Sequence, residues 1–188
     1  MSKKVVDLHT HLLPKKWPDL ADKFGYGGWV SLDHCASCKA NMMIDGELFR
    51  KIDHRSWDIR KRRDDCDEFG VDIQVLSTVP IMFSYWAPPR DGLEVSRMLN
   101  DHLADEISKD PSRFQGLGTI PLQDPDLAIQ ELERCVNDLG LRGIEIGSHV
   151  NDWNLDAPEL FPVFEACQRL GVGVFIHPWE MMGQSEMT

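Results

Sequence analysis

At 188 residues, with 42% hydrophobic and 27% charged positions, the chain is long enough for one domain with a real hydrophobic core and too short to expect two large ones. Its formal net charge of -11 argues against nucleic acid or an anionic membrane as partner, because both require a basic footprint that 20 Lys and Arg against 31 Asp and Glu do not provide. Any anionic substrate therefore needs a locally basic pocket. No stretch approaches the ~20 apolar residues of a membrane helix, and the first apolar run is interrupted by Asp7, far short of a signal-peptide core. The expected compartment is the cytosol, where Cys35, Cys38, Cys66, Cys135 and Cys167 are expected as reduced thiols.

In chain order, "KVVDLH" reads as a first strand. Residues 14–55 then break the rhythm with "FGYGGW", "CASC" and "MIDGELFRKI", where Asp45-Gly46 between apolar runs predicts a hairpin. This stretch reads as a small β-rich insertion of the kind that contributes to pockets at strand ends. A charged helix over about 58–69, ended by Gly70, leads to a second strand, "DIQVLST". A helix over about 92–109, stopped by "DPSR", leads to a third, "FQGLGTI". Asp124 as cap, Pro125 at the first helical position and Gly140 as stop frame the next helix, before the strand "GIEIG". "DAPELFPVFEACQRLG" again opens with Asp and Pro and closes with Gly171, leading to a fifth strand, "VGVFIH". Strand and helix in alternation with short connections predict an α/β fold with a parallel sheet built from right-handed crossovers.

His9 and His11 stand at i and i+2 where the first strand ends, so they share a face if the strand runs that far. His177 ends the fifth strand, and parallel α/β folds bind ligands at the carboxyl ends of their strands. Three imidazoles are a common ligand set for a catalytic zinc with an open position. Taken alone, the HxH pair is equally compatible with a hydrogen-bonded strand end. His34, His54, His102 and His149 have no such placement, although His149 follows the fourth strand within reach of a pocket. "CASC" lacks the second Cys or His pair of a zinc ribbon; with His34 and His54 nearby a local site is conceivable, but surface thiols are the simpler reading. Arg50, in the predicted hairpin, carries a fork suited to a carboxylate; a surface salt bridge is the plain alternative. Met82, Phe83, Tyr85, Trp86 and Trp179 suit pocket walls and core packing equally. No phosphate loop, serine elbow or dinucleotide fingerprint is present.

The runs "DLHTHLLPKKWPDLADKFGYGGWV", "DGELFR", "LSTVPIMFSYWA", "RFQGLGTIPLQ", "ERCVNDLGLRGIEIGSHVN" and "LFPVFEACQRLGVGVFIHPWEMM" together resemble the decarboxylases of the metal-dependent amidohydrolase superfamily, over essentially the whole chain. The resemblance implies a TIM-type (β/α)8 barrel with one zinc, whose ligands fall on His9, His11 and His177, and a substrate-carboxylate arginine that falls on Arg50. It implies non-oxidative loss of carbon dioxide from an acyclic dicarboxylate semialdehyde in tryptophan breakdown, and a homodimer. By the same resemblance the acid/base histidine and an aspartate ligand lie beyond Thr188, so no catalytic acid or base is assigned within the chain. The expectation is thus a single incomplete barrel over 1–188, about five βα units with the insertion at 14–55, inactive or nearly so by itself. Two alternatives stand beside it: a superfamily hydrolase acting on an amide or lactone, and a non-catalytic chain that binds the full-length enzyme.

Overall fold

The computed structural model describes residues 3–178. Trp179 and the polar tail lie outside the described residues. The first strand, β1 (Val6–His11), does run as far as the second histidine. A short helix, α1 (Leu20–Phe24), follows; Asp19 caps it by accepting from the Asp22 N–H at 3.0 Å, and Gly25 ends it at φ +83°. The expected hairpin is one half of a three-stranded antiparallel sheet made of β2 (Val30–Ala36), β3 (Lys39–Ile44) and β4 (Glu47–Asp53). Its β3–β4 turn lies at Asp45-Gly46, both with positive φ, the backbone that a tight two-residue hairpin demands. The additional strand has a plain cause. Val30 of β2 and Met42 of β3 point inward and pack with Leu13, Trp29, Met82 and Leu99, and Ala40 is buried as well, so β2 completes the buried face.

α2 (Ile59–Phe69) opens at Asp58, which accepts from the Arg60 N–H, and closes at Gly70 in the left-handed region, as its charge pattern and glycine predict. β5 (Ile73–Ser77) follows, then α3 (Pro89–Ser108), which starts three residues before the expected position because Pro89 suits its first turn. β6 (Phe114–Gly116) is shorter than "FQGLGTI" suggests. α4 (Pro125–Asn137) is capped as expected: Asp124 accepts from the Leu127 N–H at 3.1 Å. It ends before Gly140, because the chain must turn early to bury Leu141 against Cys135 and Leu103; Gly140, at φ +69°, serves the turn and not the cap. Next come β7 (Gly143–Gly147) and a hairpin of β8 (His149–Val150) and β9 (Trp153–Asn154) with no clear sequence signal. A 3-10 turn from Pro158 leads into α5 (Phe161–Leu170), which has no side-chain cap, and Gly171 ends it before β10 (Gly173–His177).

β1, β5 and β6 pair in parallel in that order, and β7 pairs in parallel with β10. Backbone bonds from Arg142 to Gly116, Gly118 to Gly143 and Glu145 to Gly118 join the two groups into one five-stranded layer in chain order. Gly143 makes the β7–β10 approach possible: a Cβ there would lie 2.1 Å from the Gly173 carbonyl oxygen. Leu132, Ile144, Ile146, Leu160 and Val163 bury the α4 and α5 side of the layer. Among the described residues neither outer edge is paired, and Val6, Leu8 and Ile176 on the two edge strands stand about half exposed. The structure is therefore α/β with parallel strands and no closed barrel, a partial barrel of five strands with the β-rich insertion after the first. No helix among the described residues is long and apolar enough to cross a membrane.

Candidate metal centre

β1 and β10 are the two outermost strands of the layer, yet its curvature brings their carboxyl ends together. One ring nitrogen each from His9, His11 and His177 lies within 4.8 Å of the others. The ring centroids are 4.7 Å apart for His9 and His177, 5.1 Å for His11 and His177 and 5.2 Å for His9 and His11. Among the described residues this is the one group of three potential metal ligands so close; Cys35 and Cys38 take part in none, and all five cysteines are free. Nitrogen ligands ~2 Å from one ion lie at most ~4 Å apart. The three nitrogens would have to draw closer than 4.8 Å to share one ion.

The hydrogen bonds favour that use. His11 Nδ1 lies 2.9 Å from the Thr78 carbonyl and His177 Nδ1 lies 2.8 Å from the Pro178 carbonyl. A carbonyl can only accept, so each Nδ1 carries the proton and each Nε2 keeps a lone pair for an ion. Burial first, then the His177 imidazole, push His11 down to about 4, and burial lowers His177 as well. Both rings are held neutral, the form that coordinates. The residues fit a divalent ion.

Arg62 of α2, half-buried behind β1, donates to the His11 carbonyl and to Gln74 Oε1, while Gln74 donates to Asp7 at 3.1 Å. Burial pulls Arg62 down to about 10, which leaves it charged at neutral pH. This clamp fixes the strand end that carries the HxH pair. Glu145, in the middle of β7, is fully buried, and its Oε1 lies 3.9 Å from His11 Nδ1. Burial pushes its carboxyl up to about 8, with a smaller opposing effect from the Ser77 hydroxyl. Sequence reading missed both residues. For Glu145 a signal existed, an acid at the centre of "GIEIG" in a strand buried on both faces.

Arg50 sits on the insertion sheet, as the hairpin reading expects. It is exposed on β4, opposite Met42, with its guanidinium 5.6 Å from the centroid of the Phe49 ring. Phe49 lines a cavity of about 600 Å³ with Phe83, Tyr85, Trp86 and His149; of these, Phe83 and Tyr85 also belong to the buried core. Ser84 and Asn151, both non-glycine residues with left-handed φ, also line it. Met82 instead enters the core. A second groove, of about 650 Å³, is lined by Lys15, His54, Trp57, Arg60, His102 and Lys109 and includes none of the three histidines.

Comparison with known proteins follows the same lines. The amidohydrolase family profile matches residues 6–187. The chain belongs to the amidohydrolase family. It is 59% identical over 97% of its length to 2-amino-3-carboxymuconate-6-semialdehyde decarboxylase from Dictyostelium discoideum, covering 51% of that protein. It is 35% identical over 94% of its length to the Caenorhabditis elegans protein of the same name, covering 56% of it. Among solved structures, dihydroxybenzoic acid decarboxylase from Polaromonas sp. JS666, with bound manganese and an inhibitor, superposes with a TM-score of 0.71 at 27% identity, covering 98% of this chain and 52% of that one. This amidohydrolase chain thus spans about half the length of the curated relatives it matches.

Proposed function

We propose that the chain supplies the metal-binding part of a zinc-dependent decarboxylase acting on 2-amino-3-carboxymuconate 6-semialdehyde, with His9, His11 and His177 as ligands and Arg50 as receiver of a substrate carboxylate. The observation that carries this reading is the convergence of three imidazoles from β1 and β10, two of them tautomerically set by backbone carbonyls. Similarity to decarboxylases of that name supports the substrate. An imidazole set favours zinc over manganese in affinity. A zinc ion held there supplies Lewis acidity. The chain's own residues do the rest: the Thr78 and Pro178 carbonyls orient the ligands, Arg62 holds the strand end, and Arg50 offers a planar two-donor fork for the carboxylate. A homodimer goes with this reading, from the resemblance.

Calorimetric titration with zinc and with manganese tests the centre. One ion per chain is expected, with zinc the tighter, and His11→Ala removes binding. A wild-type chain that takes up no divalent ion sinks the reading. Release of carbon dioxide from the semialdehyde by zinc-loaded protein tests the chemistry. Hydrolysis of a lactone without carbon dioxide favours a superfamily hydrolase, whereas metal uptake with no turnover and with capture of the full-length enzyme favours a non-catalytic role.

A further inference from the structure

Among the described residues of the parallel layer, Glu145 is a fully buried acid whose carboxyl oxygens have no hydrogen-bond partner of normal geometry. Its neighbours in β7, Ile144 and Ile146, pack into the α4–α5 core, and Glu145 alternates to the opposite face, toward His11. The nearest donors are committed elsewhere. The Ser77 hydroxyl donates to the Thr10 carbonyl at 3.0 Å, and His11 Nδ1 faces the Thr78 carbonyl at 2.9 Å. An apolar residue of the same size would avoid the desolvation cost, so a carboxylate here is useful only if positive charge arrives. The three-histidine centre is where such charge would arrive, and three neutral imidazoles, the ligands this chain itself supplies, carry no charge to offset a divalent ion.

We propose that Glu145 is the outer-sphere carboxylate of the three-histidine centre, set behind the His11 ring to balance the charge of the bound divalent cation. The inference rests on the metal-centre reading above and adds a residue to it. Glu145 touches no ion directly; it is a positioning residue that acts through His11 and through its charge. Loss of such a partner weakens metal binding by about 10- to 100-fold.

The experiment compares zinc affinity and metal-free thermal midpoint for the wild-type chain and for Glu145→Gln. Expected are two changes of opposite sign: affinity falls by about 10- to 100-fold, while the midpoint of the metal-free protein holds or rises because a buried unpartnered carboxyl is gone. A purely structural residue would move both downward together, and that pattern overturns the proposal, as does an unchanged affinity in Glu145→Gln. Should the Gln variant fail to fold, Glu145→Asp and Glu145→Leu carry the test: Asp keeps the charge and most of the affinity, and Leu loses it. If Asp and Leu bind zinc equally, the proposal fails. A wild-type chain that binds no zinc overturns the metal-centre reading together with this inference. Zinc bound alike by wild type and variants overturns the inference alone.

Discussion

Two glutamates in this chain, Glu131 of α4 and Glu145 of β7, are each 0% exposed, and their surroundings are opposite. Glu131 accepts from Arg97 at 3.2 Å, from Arg134 at 2.8 and 2.9 Å and from Asn100 at 2.7 Å; Asn100 in turn ties α3 to the backbone of Thr119. Glu145 accepts no bond of normal geometry. The first is a buried charge answered by the fold, joining α3 to α4. The second waits for charge from outside the chain. Burial alone therefore does not mark a functional acid; the state of its partners does.

The contrast can be broken most forcefully at the satisfied site. Glu131→Ala leaves Arg97, Arg134 and the Asn100 amide without their acceptor and is expected to cost about 3 kcal/mol, read as a lower urea midpoint. If stability holds, the network is ornamental and the contrast with Glu145 loses its basis. Gly143→Ala comes next. The new methyl meets the Gly173 carbonyl, so the β7–β10 pairing that carries His177 must shift, at about 1–3 kcal/mol, with zinc affinity falling as well. Calorimetry on the folded variant checks the second half of that expectation.

Arg62→Met sharpens the comparison on the other side of His11. Removing the donor to the His11 carbonyl should weaken zinc binding about tenfold, equivalent to ~1.4 kcal/mol. Affinity equal to wild type would show that β1 holds the HxH pair unaided. The smallest effect concerns a half-buried base. His102 has its Nε2 buried without a partner, and burial lowers its pKa from the ordinary 6.5. The folded protein then holds fewer protons than the unfolded chain in the window just below 6.5, so the stability tied to this ring is complete above that pH and declines as pH falls. His102→Gln should flatten that decline by less than about 1 kcal/mol. Chemical denaturation of both proteins between about pH 7 and pH 5 measures it.

Much of this architecture was legible because its signals are local. The cap at Asp124, left-handed stops at Gly70 and Gly171 and the Asp45-Gly46 turn each depend on a few neighbouring residues, and each occurs where the sequence places it. The misses share a different cause. The third strand of the insertion, the early end of α4 and the shortness of β6 follow from which side chains meet across the molecule, as Leu141 meets Cys135 and Met42 meets Leu13. Periodicity within a window does not carry that information.

The same division runs through the site. Sequence alone determined the residue types, the HxH spacing, the strand-end position of His177 and the family. Only the tertiary structure decided that His9, His11 and His177 lie together, that Arg50 is exposed on β4 beside Phe49 and that Glu145 faces His11 without a hydrogen bond of normal geometry. The physical reason is the curvature of the parallel layer. It brings the ends of its outermost strands into contact, and that curvature is set by the packing of every strand and helix at once.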